Sequence, residues 1–281
     1  RQFASDSNST IIPIVIWGTE NCLMQGDFVL NRGAIILQQL PSVHSVNDLA
    51  ARLDAGYKEV SSGFLMSVYF NKILSSYIYK GPILEWYYRI KVMLEKSYQG
   101  FDGLIPKQGK IYDLGCGYGF LDYFLQLKSA ERTIIGVDYD GDKITVANNS
   151  YLKNDQLTFI ENDVMQVVIE NADAVVILDV LHYLCAENQQ KLIRSTYEGL
   201  NAGGILIIRD GDSSQVEKHK GTKLTEFFST KLLMFNKQTE HELCFISSET
   251  IIKTLNDYNV EVKIVDDTKY TSNIIYYVVK H

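Results

Sequence analysis

The chain has 281 residues, 46% of them hydrophobic and 22% charged, with a formal net charge of −7. This length suffices for one large domain or for a domain with an appendage. The acidic balance argues against a nucleic-acid surface, which needs clustered lysine and arginine to neutralise phosphates. We therefore expect a small-molecule or carrier-bound ligand and no nucleic acid, and the sequence leaves the oligomeric state open.

The cysteines indicate neither a zinc site nor a disulfide framework. Cys22, Cys116, Cys185 and Cys244 are far apart and form no CxxC pair, which fits a reducing cytoplasm and predicts no metal. The apolar runs are far shorter than the roughly 20 residues of a membrane-spanning helix. Because the sequence begins at Arg1 without a methionine or a signal peptide, we expect it to be part of a longer chain.

Residues 1–45 have the texture of strands and turns. The run "IIPIVIWG" is followed by "GDFVLNRGAIILQQL", in which Asn31-Arg32-Gly33 separates two β-rich halves as a hairpin loop does. Pro13 restricts the first run to an edge strand or a strand start. Because an isolated hairpin is marginally stable in water, we predict a β appendage that packs on other parts of the polypeptide.

Residues 46–100 read as helical, since apolar residues recur at spacings of three and four. Gly81-Pro82 stands where a second helix begins, a position at which proline is tolerated. We predict a helical linker over residues 46–72 and one large domain over residues 73–281. The aromatic side chains of Tyr79, Trp86 and Tyr87 either wall a substrate pocket or pack this helix against its neighbours, and both readings stay open.

From Lys110 onward, apolar strands alternate with helix-like patterns, which predicts an α/β fold built from right-handed βαβ units on a parallel sheet. The predicted strands are residues 110–114, 133–138, 157–160, 173–178 and 204–209. The chain closes with "NVEVKIVDDTKYTSNIIYYVVKH", two β-rich runs with no helix between them. This ending predicts an antiparallel hairpin at one edge of the sheet.

The stretch "KIYDLGCGYGF" indicates a ligand site after the first of these strands. Gly115, Gly117 and Gly119 let ligand atoms reach the backbone at the point where a helix begins. Their G-x-G-x-G spacing differs from the G-x-G-x-x-G of dinucleotide-binding folds. At the ends of the next two strands, Asp138 is placed to bind ribose hydroxyls and Asp163 to bind an adenine amino group.

With these motifs in order, residues 73–281 resemble class I S-adenosylmethionine-dependent methyltransferases. "DLGCGYG", "GVDYD", "END", "LDVLHYL" and "LNAGGILII" look like successive motifs of that family. The resemblance implies a Rossmann-like sheet with N-terminal helices, S-adenosylmethionine as cofactor and S-adenosylhomocysteine as product. The cofactor-binding residues that it implies are Asp113, Gly115, Cys116, Gly117, Gly119, Asp138, Tyr139, Asn162, Asp163, Val164 and Asp179.

His182 is the leading candidate for a general base, because it directly follows the fourth strand and the ordinary pKa of histidine suits proton removal. The alternative is a hydrogen-bonded structural histidine, and Tyr183 beside it either binds substrate or packs. The long insertion after the fifth strand carries further candidates, Asp210, Asp212 and His219, and is placed to form a substrate-side lid. We favour a loop turn over a metal site for Asp210-Gly211-Asp212.

Residues 1–45 resemble the C-terminal part of lysophospholipid acyltransferases, through "IIPIVIWGTENCLMQGDFVLNRGAIILQQLPSV". That family's H-x-x-x-x-D is absent, because three residues rather than four separate His44 and Asp48, so acyl transfer is not expected. The combined order resembles bacterial proteins that join an MMPL-type exporter, an acyltransferase and a methyltransferase. This resemblance implies an aryl-polyene or lipid intermediate as acceptor, at the cytoplasmic side of the inner membrane.

Three functions from different classes follow. The first is methyl transfer to a small or carrier-bound acyl or aryl acceptor. The second is a non-catalytic cofactor-binding or docking module for an acyltransferase, and the third is a nicotinamide-dependent oxidoreductase, which the glycine spacing disfavours.

Overall fold

The computed structural model describes seven parts of the chain, residues 14–17, 36–39, 52, 68–94, 98–213, 243–266 and 273–281. The chain divides into two compact units, Arg1–Lys72 and Ile73–His281. In the first unit, β1 (Ile14–Trp17) pairs antiparallel with β2 (Ile36–Gln39). The predicted Asn31–Gly33 loop lies outside the described residues. The assignment of residues 1–45 to an acyltransferase remnant, and of residues 46–72 to a linker, stays a prediction.

Among the described residues, the second unit contains seven strands and six helices with defined bounds, and residues 73–76 are also helical. The helices are α1 (Pro82–Leu94), α2 (Tyr98–Leu104), α3 (Phe120–Lys128), α4 (Gly141–Asn148), α5 (Ala186–Glu198) and α6 (Ser248–Asn256). The strands are β3 (Gly109–Leu114), β4 (Arg132–Asp138), β5 (Leu157–Glu161), β6 (Ala172–Leu178), β7 (Leu200–Gly211), β8 (Lys263–Asp266) and β9 (Asn273–Val279). Short 3₁₀ turns follow β5 and β6, at Val164–Gln166 and Leu181–Tyr183.

The seven strands form one sheet in the order β5-β4-β3-β6-β7-β9-β8. Strands β3 to β7 are parallel, whereas β9 is antiparallel to both β7 and β8. The predicted parallel sheet with an antiparallel hairpin at its edge is therefore confirmed. Strand order reverses at β3, because β4 and β5 lie on one side of it and β6 on the other. Ligands of open α/β sheets bind at the carboxyl ends of the strands near such a reversal.

The centre of the sheet is buried on both faces, as parallel strands covered by helices are. Val175, Val176 and Ile177 of β6 are fully buried, which explains why this strand reads as an unbroken apolar run. Pro82 is the first residue of α1, as predicted. Among the described residues, none of the helices combines the length and the apolar character needed to cross a bilayer.

A buried ion pair fixes α2 to the start of β4. Arg132 is fully buried and its guanidinium donates to the carboxylate of Asp102 at 2.7 Å and to the carbonyl oxygens of Ile105 and Pro106 at 3.0 and 2.7 Å. Lys107 adds a second cation 2.7 Å from the same carboxylate. A buried charge needs such partners to offset its desolvation, so this pair orders the chain that leads into β3.

Candidate active site

The loop after β3 is held against β4 and is built for residues without side chains. The amides of Gly115 and Cys116 both donate to the carbonyl oxygen of Val137, at 2.7 and 3.0 Å. Gly115 has φ of +85°, and a Cβ there would lie 2.1 Å from a methyl carbon of Val180. Only glycine fits such a backbone without strain, so the first glycine of the motif is required by the fold itself.

The carboxylate of Asp138 is bound by two backbone amides. One oxygen accepts from Gly117 N at 2.8 Å, and the other accepts from Asp140 N at 2.9 Å. Because each carboxylate oxygen has two acceptor sites, each keeps one for an additional donor. Two adjacent ribose hydroxyls are donors that match this arrangement, so Asp138 and the loop fit the adenosine portion of S-adenosylmethionine.

The end of β5 lies beside Asp138, because the amide of Asn162 donates to the backbone carbonyl of Asp138 at 3.0 Å. Asp163 is exposed and caps the 3₁₀ turn that begins at Val164, accepting from Met165 N at 2.9 Å. Tyr139 is 40% exposed. The sheet thus brings the residues predicted for ribose and adenine to one edge, although one oxygen of Asp163 already acts as a cap.

A pocket opens above the glycine loop. Its wall includes Tyr87 and Lys91 of α1, Asp113, Lys143, Leu178 and the loop residues Gly115, Cys116, Gly117 and Tyr118. The ring of Tyr87 meets that of Tyr118 edge to face, with centroids 5.8 Å apart. By contrast, Trp86 is 66% exposed and Tyr79 is 51% exposed, and neither lines this pocket. The pocket therefore gives no support to the predicted role of Trp86 and Tyr79 in substrate binding. Tyr87, the third aromatic residue of that prediction, does line the pocket.

Asp179, predicted to lie near the amino-acid end of the cofactor, is bound by protein side chains. It follows β6 with φ of +58°. The guanidinium of Arg209 forms an ion pair with its carboxylate, and Asn273 Nδ2 donates to it at 3.3 Å. Arg209 is 2% exposed, so this pair links the ends of β6, β7 and β9. In this arrangement the carboxylate neutralises a buried arginine, a partner that the sequence did not suggest.

His182 and Asp210 form a buried pair at the same edge. His182 Nδ1 lies 2.7 Å from Asp210 Oδ1, and the amide of His182 donates to Asp210 Oδ2 at 3.3 Å. Since a carboxylate only accepts, Nδ1 carries the proton and Nε2 of the neutral ring is the basic atom. The imidazole packs between Tyr183 and Phe245, with centroids 4.2 and 5.4 Å away.

The pKa of His182 is raised above its ordinary value of 6.5. Burial alone lowers it, because desolvation disfavours the imidazolium. The charge of Asp210 and its hydrogen bond to the ring act in the opposite direction and outweigh burial. This is the environment of a base whose charged form is stabilised by a neighbouring acid.

The prediction of a loop turn at Asp210-Gly211-Asp212 is wrong, because β7 continues through Gly211 in register with β9. Asp212 is 3% exposed and accepts from the amide and the hydroxyl of Ser248 at 2.9 and 2.5 Å, which ties β7 to the first residue of α6. His219 lies outside the described residues, as does most of the predicted lid. Within the described parts of the chain, no cluster of three or more histidine, cysteine or acidic residues is placed to hold a metal.

Comparisons with known proteins agree with this geometry. The sequence model of a family described as "Methyltransferase domain" matches residues 111–204. The pyocyanin biosynthetic protein PhzM is structurally similar, with a TM-score of 0.53 and 16% identity, over 74% of this chain and 62% of that one. Magnesium protoporphyrin IX methyltransferase of Synechocystis PCC 6803, solved with bound SAM, has a TM-score of 0.51 and 18% identity, over 68% and 82%. The fold is that of a class I methyltransferase.

Curated relatives also match part of this chain. The carboxy-S-adenosyl-L-methionine synthase of Shewanella sp. strain ANA-3 is 32% identical over 114 residues, which are 39% of this chain and 47% of the relative. The chain spans about half the length of the curated relatives it matches. The agreement confirms the predicted fold class, and the cofactor named in the prediction is the one bound in the Synechocystis structure.

In this methyltransferase fold, several residues of the pocket were not predicted. Lys91 and Lys143 both line it. The pKa of Lys143 is lowered from its ordinary value, because burial outweighs the opposing charges of Asp138 and Asp140. Lys91 lies four residues after Tyr87, so the two share a helix face, but the sequence alone does not indicate which face of this helix meets the pocket. Lys143 lies in the first turn of the helix that Asp140 caps, whereas its closeness to the pocket depends on the tertiary fold.

Proposed function

We propose that the chain is an S-adenosylmethionine-dependent methyltransferase. The observation that carries the proposal is the carboxylate of Asp138, bound by Gly117 N and Asp140 N beside a loop of three alternate glycines. Asp138 binds the two ribose hydroxyls, Asp163 binds the adenine amino group, and the loop from Asp113 to Gly119 faces the methionine portion. When bound, the cofactor supplies an electrophilic methyl group on a sulfonium.

His182 acts as the general base of the reaction. Asp210 holds the imidazole in the tautomer whose basic atom is Nε2. Nε2 would take the proton that the acceptor loses when its oxygen or carbon bonds to the methyl group and the S–C bond to S-adenosylhomocysteine breaks. Asp210 then stabilises the imidazolium through the 2.7 Å hydrogen bond to Nδ1. The remaining work of the protein is to align the acceptor with the methyl group and to exclude water.

For the acceptor, we propose a small or carrier-bound acyl or aryl molecule. The aromatic rings of Tyr87 and Tyr118 on the pocket wall favour an apolar or aromatic group. The resemblance of residues 1–45 to the end of lysophospholipid acyltransferases narrows this proposal to an aryl-polyene or lipid intermediate, methylated on the cytoplasmic side of the inner membrane. Mass spectrometry of extracts supplied with methyl-labelled cofactor identifies the labelled product.

Calorimetry with S-adenosylhomocysteine and with NADH tests the class of cofactor. We expect folded protein to bind S-adenosylhomocysteine and to bind NADH weakly or not at all, because the loop lacks the dinucleotide spacing. Asp155→Asn changes an exposed residue away from the pocket. It is the control for effects of substitution and purification that do not involve the pocket. Absence of S-adenosylhomocysteine binding by protein with a cooperative thermal transition contradicts the proposal.

A second candidate is synthesis of a carboxylated S-adenosylmethionine, the product named for the curated relatives. Lys91 and Lys143 on the pocket wall favour it, because two cations suit a ligand with an additional carboxylate. Mass spectrometry of nucleosides extracted from purified protein separates the two candidates. A copurified carboxylated S-adenosylmethionine supports the second candidate, whereas copurified S-adenosylmethionine or S-adenosylhomocysteine supports the first.

A further inference from the structure

The buried side chain of Gln189 joins separate stretches of backbone around His182. Gln189 lies near the start of α5 and is 2% exposed. Its Nε2 donates to the carbonyl oxygens of Leu181 and Leu184 at 3.0 and 3.1 Å and to that of Cys244 at 2.6 Å. An amide nitrogen has two hydrogens, so two of these carbonyls share one of them. Both ends of the turn that carries His182 are thus bound, through one nitrogen, to a residue that precedes α6.

Helix α5 itself does not depend on this side chain. The backbone amide of Gln189 makes the ordinary helical hydrogen bond, to the carbonyl of Cys185 at 3.0 Å. Thr196, a buried polar residue of the same helix, uses its hydroxyl differently and donates to the carbonyl of Ile193 at 2.9 Å, inside α5. The side chain of Gln189 therefore holds segments outside its own helix together.

The segment that precedes α6 is attached both to the turn and to the end of β7. The amide of Cys244 donates to the carbonyl of His182 at 2.9 Å, and the amide of Ser213, two residues beyond β7, donates to the carbonyl of Ile246 at 3.1 Å. Phe245 lies between these two points of attachment. Its position is therefore set by the hydrogen bonds on either side of it, including the one from Gln189 to Cys244.

The imidazole of His182 is held by one residue at its edge and by two aromatic rings. Asp210 lies 2.7 Å from Nδ1, which fixes one corner of the ring but not its tilt about that contact. Phe245 stacks on the imidazole with an angle of 23° between the planes and 5.4 Å between the centroids, and Tyr183 packs against it at 4.2 Å. The direction in which Nε2 points therefore depends on where Phe245 lies.

We propose that Gln189 is a positioning residue for the base, which holds Phe245 against the imidazole so that Nε2 of His182 points toward the acceptor. The contacts run from the amide of Gln189 to the carbonyl of Cys244, and from there to the ring of the next residue. Neither Gln189 nor Phe245 lines the cofactor pocket, so the effect falls on proton removal and not on cofactor binding. The inference rests on the proposed function, because it assigns a support to the base of that reaction.

Nuclear magnetic resonance of the His182 ring tests this support without an acceptor. In protein that contains isotopically labelled histidine, His182→Ala identifies the signal among those of the five histidines. The ring current of Phe245 displaces that signal, and Phe245→Leu removes the displacement. Gln189→Met keeps the length of the side chain but has no N–H donor. We expect it to move the His182 signal toward the position found in Phe245→Leu, although Phe245 is still present.

The matched control is Thr196→Val, which removes a buried hydrogen bond that stays within the same helix. We expect this control to lower the thermal transition temperature and to leave the His182 signal in place. A Gln189 side chain that only stabilised the fold would give the same result in Gln189→Met. An unmoved His182 signal in folded Gln189→Met therefore overturns the proposal.

Transfer of label from methyl-labelled S-adenosylmethionine to a cell extract measures the consequence for the reaction. Gln189→Met and Phe245→Leu are each expected to slow transfer roughly 10-fold, part of the 100-fold or more that a general base contributes. Calorimetry is expected to find S-adenosylhomocysteine affinity unchanged in both. Because the two residues act through one contact, the double variant is expected to be no slower than the slower single variant. Phe245→Tyr keeps the ring and is expected to retain most of the wild-type rate.

The outcomes separate the positioning role from the proposed function. If wild-type protein binds no S-adenosylhomocysteine and transfers no label, the proposed function is wrong and the role of His182 as base fails with it. If wild-type protein does both, but Gln189→Met keeps the wild-type rate or the two single losses add in the double variant, the function stands and the positioning role of Gln189 is wrong.

Gln189→Glu is the second variant if Gln189→Met lacks a cooperative thermal transition. A carboxyl group buried among carbonyl oxygens keeps its proton, so this variant retains one of the two donor hydrogens and the shape of the side chain. We expect a partial displacement of the His182 signal and a partial loss of rate. A wild-type signal together with a wild-type rate in Gln189→Glu also overturns the proposal.

Discussion

The glycine loop and the His182–Asp210 pair lie at the same edge of the sheet but are built in opposite ways. The loop presents backbone amides, and one of them, Gly117 N, together with Asp140 N holds the carboxylate of Asp138 at the end of β4. The pair is built from two side chains on neighbouring strand ends, 28 residues apart, and is 5% and 1% exposed. One region is a backbone surface open to a ligand, and the other is a pair of buried side chains.

This difference indicates a division of labour. A backbone surface has little freedom to lose on binding, which suits recognition of a cofactor shared by many reactions. A buried pair of side chains sets the protonation of a base through desolvation and one adjacent charge, which suits chemistry that depends on the acceptor. Substitutions in the loop are therefore expected to change folding and cofactor affinity, and those in the pair to change rate and its pH dependence.

The largest effect is expected from Gly115→Ala. The added Cβ meets Val180 at 2.1 Å on a backbone with φ of +85°, and forced packing together with such strain costs about 2–5 kcal/mol. We expect a clear fall in the thermal transition temperature and loss of S-adenosylhomocysteine binding, measured by calorimetry. Gly103→Ala is the matched control, because a Cβ there meets nothing within 4 Å, and in a helix it stabilises by about 0.5–1 kcal/mol.

His182→Ala is expected to lower turnover about 100-fold or more, the usual contribution of a general base. Cofactor affinity is expected to stay near that of the wild type, because the ring does not line the cofactor pocket. Initial rates and calorimetry on the same protein measure the two quantities. An unchanged rate assigns His182 a structural role only.

The pH dependence sharpens the same test. A base must be deprotonated, so the rate rises with pH through a pKa above 6.5, since Asp210 raises the pKa of His182. Asp210→Asn removes the charge, and the inflection is expected to move to lower pH. The contribution of the pair to folding stability falls with rising pH, whereas the rate rises. The pair stabilises the fold fully below the unfolded pKa of histidine, about 6.5, and this contribution is lost as pH rises through the pKa of His182 in the folded protein. An inflection that Asp210→Asn leaves in place contradicts the assignment.

Asp138→Asn is expected to weaken S-adenosylhomocysteine roughly 10- to 100-fold, as the loss of hydrogen bonds to a charged group does. The amide nitrogen of asparagine cannot accept from the backbone amides that hold the carboxylate at 2.8 and 2.9 Å. Titration calorimetry measures the change, with Asp155→Asn as the exposed control. Equal affinity in the Asp138 variant removes the ribose contact from the proposal.

The smallest effect is expected from Trp86→Ala, because this side chain is 66% exposed. An exposed substitution usually changes stability by no more than about 0.5 kcal/mol. Tyr87→Ala, one position along the same helix, removes a ring from the pocket wall and is expected to raise the KM for the acceptor. A larger change in KM for the Trp86 variant than for the Tyr87 variant restores Trp86 as the substrate contact.

The sequence predicted most of the sheet, because strands β3 to β7 are short apolar runs and each is followed by a turn or a helix. It also located the loop and Asp138, since these groups follow their strands directly. It did not predict the pairing of Asp179 with Arg209, because Asp179 follows β6 whereas Arg209 lies on β7, and the two meet only in the folded sheet. For the same reason, the face of α1 that carries Tyr87 and Lys91 could not be distinguished from the face that carries Trp86.

At Asp210 and Asp212 the turn chemistry of Asp-Gly-Asp was misleading. Local propensity favours a turn there, but β9 supplies a hydrogen-bonding partner as far as Gly211. Tertiary pairing therefore extended the strand beyond its predicted end at residue 209. His219 and the remainder of the predicted lid lie outside the described residues and stay predictions.

The position of β9 bears on how the protein is made. Among the described residues it follows all the other strands of the sheet in sequence, yet it lies inside the sheet, between β7 and β8. Its Asn273 reaches Asp179 at the edge that carries the site. A nascent chain cannot finish the sheet until residues 273–279 have left the ribosome. Until then β7 presents an unpaired edge to solvent, a state that is prone to aggregation. Synthesis of this domain therefore includes an interval in which Arg209 and Asp179 have been translated but the strand that completes their surroundings has not.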